Sequence, residues 1–572
     1  MTKSVQHQHY PVRYWFVIGG FLLLVSVVVG RLLYLQIESQ SFLIDQGERR
    51  VLRVVDIPAY RGLIQDRNGE PLAVSTPVTS LWANPKKLIA GEAHWGYLAD
   101  QTGTSKAKLR DRILRNQNKQ FIYLKRHMNP NKAAEVIARN IPGVASIEEH
   151  RRYYPAGEVT SHVVGFANID EKGQEGVELS FDAYLKGQKG KKRVVKDLTS
   201  RVVKDVGLIE AAVSGKDITL SIDLRAQYLA YRELLSAVKE YRASAGTAVA
   251  LDVKTGEILA MVNQPSFNPN NRRASDVPNF RNRALTDVFE PGSTVKPFTV
   301  AAALESGKWN SNSTLDTTPG LVRVGRKAIR DLGNYGVIDI GTVITKSSNV
   351  GATKLALSME PSYLSEFFRR LGLGQSTGIG FPGESVGLLP ARQRWRPIEV
   401  ATLSYGYGLS VTGLQLAQAY AVIGAGGVKR PVSLLKVEGD VPGEQVIDKD
   451  IAQQVLSMME GVVQGHGTAK KARVPGYRVA GKTGTVHKAS KQGGYEDHRY
   501  LALFAGVAPV ENPAIALVVV IDDPKGGAYY GGQVAAPVFS RVMAGLLRVK
   551  NIPPDKTVEA FAGMAGEGGP ST

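Results

Sequence analysis

Ser293 precedes Lys296 by three positions in the stretch "FEPGSTVKPFTVAAALESG". Pro291 and Gly292 break the segment before it, and "STVKPFTVAAALE" predicts a helix closed by Gly307. Pro297 falls among the first amides, which have no intrahelical acceptor, so it does not oppose the helix. At this spacing the two side chains share a face and their polar atoms can meet. A serine hydroxyl becomes a nucleophile when a base removes its proton, and lysine can be that base once burial and nearby positive potential lower its pKa. The helix N-terminus supplies part of that potential. Serine at a helix start is also an ordinary N-cap, so the pair alone decides nothing.

Two further stretches widen the choice. "TKSSNVGATKLAL" sets Ser347, Ser348 and Asn349 at the opening of a second apolar helix, either as polar groups facing a site or as a cap. "YRVAGKTGTV" alternates as a strand does and carries Lys482, Thr483, Gly484 and Thr485. An ammonium beside two hydroxyls is a good receiver for a carboxylate, and Gly484 lets a substrate approach the backbone.

Residues 476 to 483 also satisfy G-x-x-x-x-G-K-T, the pattern of a phosphate loop. Such a loop must leave a strand and run straight into an amphipathic helix, whose N-terminus binds the phosphates. Pro475 and Gly476 stand where the strand should be, and "GTVHKASKQGGYED" is polar and glycine-broken where the helix should be. The match is an accident of spacing. A second K-T-G, Lys254 to Gly256, sits in "GTAVALDVKTGEILAMV", which reads as a hairpin whose turn points its side chains to solvent.

The rest of the chain must position these pieces. Its 572 residues suffice for two or three domains. Seventy-one Lys and Arg against 52 Asp and Glu give a net charge of +19, which suits an anionic neighbour such as a membrane, a cell-wall polymer or nucleic acid. There is no cysteine, so disulfides, thiolate metal sites and cysteine nucleophiles are excluded. The nine histidines form no close ligand cluster.

"YWFVIGGFLLLVSVVVG", Tyr14 to Gly30, is an apolar run between Arg13 and Arg31. At about 1.5 Å per residue it reaches roughly 26 Å, and "LLYLQI" extends it if Arg31 snorkels. One membrane helix is expected, with the short leading tail, which carries Lys3 and Arg13, inside the cell and the remainder outside. No small-x-small cleavage pattern follows it.

From there to about Gly215 short apolar runs alternate with turns, predicting a mixed, loop-rich unit. The lysine-rich run at 186–196 reads as a solvated hairpin or loop. A larger unit opens at "DLRAQYLAYRELLSAVKEYRASAG". Leu224, Tyr228, Tyr231, Leu234, Leu235, Val238 and Tyr241 recur at helical spacing, with the helix expected to stop at Gly246. The hairpin around Lys254, a helical middle and late strands in "YLALFAGVAP" and "AIALVVVID" predict an α+β class, helices packed on an antiparallel sheet.

Taken in order, S-x-x-K, S-x-N and K-T-G form the set by which penicillin-binding proteins and serine β-lactamases are known. The chain resembles that family over roughly residues 14–550. "RGLIQDRNGEPLA", "GQEGVEL" and "GKDITLSIDLRAQ" are similar to the pedestal of class B penicillin-binding proteins, and "SSNVG", "SYGYGLSVTGLQLAQAYA" and "VAGKTGT" to their transpeptidase domain. The resemblance is strongest to the division-specific members, since elongation-specific enzymes usually carry aspartate where Asn349 stands. Many relatives have Ala-Gln after K-T-G-T, whereas Val486, His487 and Lys488 follow here, which leaves the outer rim of the groove open.

The resemblance implies a tail at 1–13, a transmembrane helix at 14–37, a pedestal at 38–220, a transpeptidase domain at 221–552 and a flexible tail at 553–572. It implies that Ser293 attacks the penultimate D-alanine of a stem peptide, that Lys296 takes its proton, that Ser347 relays protons and that Asn349 holds the acyl amide. Lys482, Thr483 and Thr485 would bind the terminal carboxylate beside Gly484. The amides of Ser293 and Thr485 would form the oxyanion hole. Tyr405 and Tyr407 either line the groove or pack a loop.

No cofactor or metal is implied. The implied partners are peptidoglycan stem peptides, β-lactams, the membrane and a division-site glycosyltransferase with other division proteins, and not nucleic acid. Three rivals are a β-lactamase, disfavoured by the lack of E-x-x-L-N between the second and third motifs, an elongation-specific transpeptidase, and an acylated sensor or scaffold that forms no cross-link.

Overall fold

The structure is a computed structural model describing residues 11–38, 40–42, 52–196, 202–465, 467–490 and 493–556. The expected cytoplasmic tail, for residues 1–10, and the expected C-terminal tail, from 557 on, lie outside the described residues. The apolar run forms a helix, Pro11–Leu33, continued by a wider turn over Tyr34–Glu38. Together they are long and apolar enough to cross a membrane, and the span buries nothing within the chain.

The chain divides into two compact units that do not follow chain order: residues 1–59, 77–150 and 188–213 in one, and 60–76, 151–187 and 214–572 in the other. The first contains a three-stranded antiparallel sheet, with Gly190–Lys196 between Leu52–Ile57 and Val202–Glu210. Residues 190–196 of the lysine-rich run thus form the middle strand of a sheet and a hairpin with Val202–Glu210, and Lys192 pairs with Asp205 at 2.9 Å. A separate core in this unit gathers Leu81, Trp95, Leu98, Leu109, Ile113 and Val136.

The second unit is built on a five-stranded antiparallel sheet in the order Ile258–Gln264, Ala245–Asp252, Ile515–Asp522, Tyr495–Ala508, Ala480–Ala489. Every residue of the first two strands is buried, because helices cover both faces. Gly246 lies against Leu234 and Val238 of the helix Leu224–Glu240, while Gly413, at the start of the helix Gly413–Gly424, lies against Thr247 and Val249. Neighbouring strand residues point to opposite faces, so these helices lie on opposite sides of the sheet. The last helix, Gly531–Val549, joins Leu224–Glu240, with Leu229 packed on Gly545. On the other side, Lys449–Val463 packs on Gly413–Gly424 and on Lys296–Glu305, which in turn packs on Asn349–Ser358.

One helix differs from expectation. Leu224–Glu240 ends at Glu240, and Gly246 is already in a strand. Arg242, at φ 47°, turns the chain, and the Asp223 carboxylate caps the start by accepting from the Arg225 and Ala226 amides. The buried face is Ala226, Gln227, Ala230, Leu234 and Ala237, with Tyr228 exposed. Small residues face the sheet so that the helix can approach it closely, and the tyrosines lie on its flank.

Candidate active site

Ser293 lies in a short 3-10 turn, Gly292–Val295, that leads into the α-helix Lys296–Glu305. Its side chain is half-buried, and among the described residues its hydroxyl makes no hydrogen bond. Lys296 is fully buried. Its Nζ donates to the Ser347 carbonyl at 2.5 Å, to Asn349 Oδ1 at 2.7 Å and to Ser347 Oγ at 3.2 Å. The first two motifs are therefore joined through the lysine. The expected direct bond from Lys296 to Ser293 is absent among the described residues, because Ser347 and Asn349 hold the ammonium.

The third motif arrives on the strand Ala480–Ala489, where Lys482 is opposite Ala505 and Gly484 opposite Leu503. Lys482 is also fully buried, and its Nζ donates to Ser347 Oγ at 3.0 Å and to the Thr483 carbonyl at 3.1 Å. Ser347 Oγ thus accepts from two lysines that lie 186 positions apart in the chain. Gly484 lies close to the serine turn: a side-chain carbon there would come within 3.0 Å of Thr294 and 3.2 Å of the Pro291 carbonyl. Thr485 Oγ1 accepts from the Gly531 amide at 3.0 Å, which leaves its proton to donate.

Burial removes water from both ammonium groups and lowers their pKa values. Lys482 falls to about 7, and Lys296 falls well below 10.5, through burial first and then the nearby Lys482 charge, with Asp331 opposing. Burial thus moves both groups toward the neutral amine, the form that can accept a proton.

Asp331 has no signal in the sequence. It precedes Ser347 by 16 positions, yet its carboxylate accepts from Ser348 Oγ at 2.6 Å, from the Asn349 amide at 2.5 Å and from the Val350 amide at 3.0 Å. It therefore clamps the first turn of the Asn349–Ser358 helix, where negative charge is favoured. Ser347, just before that turn, has φ 61°, a left-handed conformation that costs a non-glycine residue on the order of 1 kcal/mol. Asp331 on one side and Lys296 on the Ser347 carbonyl hold it there. Thr468 is a second unforeseen neighbour, its Oγ1 3.0 Å from Thr483 Oγ1.

Tyr405 and Tyr407 pack ring to ring at 5.7 Å, and Tyr407 meets Tyr495 at 5.7 Å. Their loop lies on the serine turn: the Gly292 amide donates to the Gly406 carbonyl at 3.1 Å, and a side-chain carbon on Gly406 would come within 2.1 Å of the Gly292 carbonyl. The residues after K-T-G-T are also placed. Val486 is buried against Gly292, His487 packs on Tyr500 at 4.6 Å, and Lys488 pairs with Asp522 at 2.6 Å. The other K-T-G behaves as a turn, with Gly256 at φ 74° and Lys254 exposed.

A family model described as the penicillin-binding protein transpeptidase domain matches residues 246–544, and one described as the penicillin-binding protein dimerisation domain matches residues 56–220. The chain is 47% identical over 548 residues to the peptidoglycan D,D-transpeptidase FtsI of Escherichia coli (strain K12), covering 95% of this chain and 92% of that one. The chain belongs to the class B penicillin-binding proteins. Within that family it is also 44% identical to a probable peptidoglycan D,D-transpeptidase, PbpC, of Pseudomonas aeruginosa, over 98% of each chain. Among solved class B structures, it is similar to the apo transpeptidase domain of penicillin-binding protein 3 from Burkholderia pseudomallei, at 43% identity and TM-score 0.55, covering 59% of this chain and 98% of that one. Penicillin-binding protein 3 from Mycobacterium tuberculosis, complexed with aztreonam, matches at 29% identity and TM-score 0.68, covering 88% and 98%.

Proposed function

We propose that this penicillin-binding protein is a serine-type peptidoglycan D,D-transpeptidase that cross-links stem peptides of the septal wall and is acylated by β-lactams. Its relatives carry that enzyme name, and the FtsI name carries the division role. The observation that bears most weight is the meeting of all three motifs at Ser347 Oγ, which accepts from Lys296 and from Lys482.

In this reading Ser293 Oγ attacks the carbonyl of the penultimate D-alanine, and neutral Lys296 takes the proton. The proton travels by way of Ser347 to the leaving amine, and the terminal D-alanine departs. Asn349 holds Lys296 and the acyl amide. Lys482, with Thr483 and Thr485, receives the terminal carboxylate beside Gly484. The Ser293 and Thr485 amides stabilise the oxyanion, a contribution of about 3 kcal/mol per donor in comparable sites. An amine from a second stem peptide then attacks the ester, its proton returns along the same route, and Ser293 is released. Tyr405 and Tyr407 line the groove in this assignment.

The anchor fits a single-pass protein of the cytoplasmic membrane, and the basic residues before it favour a periplasmic site. Residues 38–220 would be a non-catalytic pedestal for partners, among them a septal glycosyltransferase, with the transpeptidase domain over 221–552. Labelling with a fluorescent penicillin, wild type beside Ser293→Ala, tests the assignment. The wild type is expected to label and the variant to stay dark; a labelled variant overturns it. Cross-linked product from a stem-peptide donor and an amine acceptor separates the enzyme from an acylated scaffold.

A further inference from the structure

One flank of the active site carries an unbalanced charge. The strands Leu321–Val324 and Lys327–Arg330 form a hairpin that sets out Arg323, Arg326, Lys327 and Arg330, all exposed. The segment that leads into the helix Pro397–Leu403 adds Arg392, Arg394 and Arg396, also exposed. Against these seven cations, residues 321–330 and 390–399 hold one carboxylate, Glu399, which lies 3.7 Å from Arg392. Among the described residues the other six cations form no ion pair. Asp331, next along the chain, is turned onto the Ser348 hydroxyl and two amides.

The two basic segments are neighbours in space. Val324 and Ile329 of the hairpin close a small core with Ala401 of the helix, and Val322, Ile398 and Tyr405 pack against it. On the other face of the hairpin Arg323 is opposite Ala328 and Arg330 is opposite Leu321, so the two arginines are diagonal neighbours on one side. Like charges this close repel, and a fold carries such a cluster at a cost unless an anion joins it. Arginine suits a carboxylate because its planar fork can bind both oxygens. The surface is also tied to the catalytic groups: Asn349 Nδ2 donates to the Arg330 carbonyl at 3.0 Å, and the Tyr405 loop lies on the serine turn through the Gly292 amide.

We propose that this basic surface binds the carboxylates of an uncross-linked peptidoglycan strand and holds the strand beside Ser293. The inference rests on the transpeptidase reading and extends it from one stem peptide to the polymer. A strand with stem peptides on successive units presents carboxylates in series, which cations spread over two segments can engage together. Position favours the strand over an anionic lipid surface, because the cations are fixed to the second motif and to the tyrosine loop, where the polymer must arrive.

The test uses the full-length protein in zwitterionic nanodiscs. Arg326→Glu, Lys327→Glu and Arg394→Glu are combined in one variant, and Arg326→Lys with Arg394→Lys in a second that keeps the charge. Penicillin labelling of a parallel sample counts the folded protein, and binding is scored per labelled molecule. The probe is soluble uncross-linked peptidoglycan strand, intact or with its carboxylates amidated. Affinity for the intact strand is expected to fall about tenfold in the Glu variant, to be largely kept in the Lys variant and to weaken with salt. Equal affinity in the wild type and the Glu variant overturns the proposal.

Should the Glu variant fail to label, the wild type still decides: a loss of about tenfold on amidating the strand supports the surface, and no loss overturns it. Hydrogen exchange separates the two anions. Residues 321–330 and 392–396 are expected to gain protection when strand is added. Protection gained only in anionic nanodiscs, and not with strand, makes this a lipid site and overturns the proposal. Wild type that neither labels with penicillin nor forms product sinks the transpeptidase reading instead, whatever its affinity for strand, which keeps the two failures apart.

Discussion

Two buried charge clusters in the larger unit contrast sharply. In one, Arg61 and Arg152 each bind an oxygen of Glu178 at 2.6 Å, and Arg61 reaches Asp182 at 2.8 Å. Glu178 is fully buried, and Tyr154 completes the cluster by donating to it at 3.4 Å while accepting from the Ala167 amide. Two cations meet two anions. In the other, Lys296 and Lys482 share Ser347 Oγ, and Asp331, the nearest carboxylate, is occupied with the Ser348 hydroxyl and two amides. In the first cluster each arginine is paired with a carboxylate inside the fold, whereas among the described residues no carboxylate forms an ion pair with either lysine. Buried ions without partners shift their pKa values, and that shift is useful to acid–base chemistry.

The largest expected effect falls on the balanced cluster. Glu178→Gln leaves Arg152 without its carboxylate and Arg61 with Asp182 alone, and should lower stability by about 3–5 kcal/mol, read by chemical denaturation. Undiminished stability would mean that the two clusters do not differ as described.

Lys482→Met reverses the pattern. Acylation by penicillin should fall about a hundredfold, in the range of losing one strong transition-state donor, while stability stays level or rises by about 1 kcal/mol. The pH dependence carries the sign. Lys482 has a folded pKa of about 7 against 10.5 as its ordinary value, so between these the unfolded chain holds a proton that the folded chain lacks. Stability from this group therefore rises with pH across that window and is lowest below pH 7. The wild type should gain stability relative to Lys482→Met from pH 7 toward 10, and parallel curves would contradict the assignment. Acylation should show an alkaline limb near pH 7 as Lys482 loses its charge.

Asp331→Asn tests the clamp between the extremes. Removing the charge weakens the cap by about 1–2 kcal/mol and loosens the left-handed Ser347, so acylation should drop about tenfold. Because Asp331 raises the Lys296 pKa, its loss should also move the acidic limb of the acylation profile to lower pH. A rate change without that displacement would mean that Asp331 acts through shape alone. The smallest effect is expected at Lys254→Ala, where labelling should be kept, since this lysine is exposed in a turn. A loss there comparable to Lys482→Met would break the distinction between the two K-T-G stretches.

Much of this was legible in the chain. The apolar N-terminal run, the serine helix, the strand at Lys482 and the hairpin at Gly256 each follow from local pattern, and each is present. The phosphate-loop match failed on local grounds, and in the structure Ala480–Ala489 is indeed followed by an antiparallel strand, not a helix. Asp331, Thr468 and the ring of Tyr495 carried no such sign. Their roles depend on segments that approach each other only in space, and a lone aspartate in "RDLGNYG" looks like any turn residue.

Residue order and type determined which groups were available: a serine one turn before a lysine, a serine and asparagine at a helix start, and a lysine with hydroxyls on a strand. Periodicity and turn chemistry act within a few residues, so these elements were written locally. The tertiary structure decided which lysine meets which serine. Local spacing offered Lys296 to Ser293, but its ammonium is held by Ser347 and Asn349. It also decided how basic the lysines are, because a pKa is set by burial and neighbouring charge, and these exist only once distant segments have closed around the side chain.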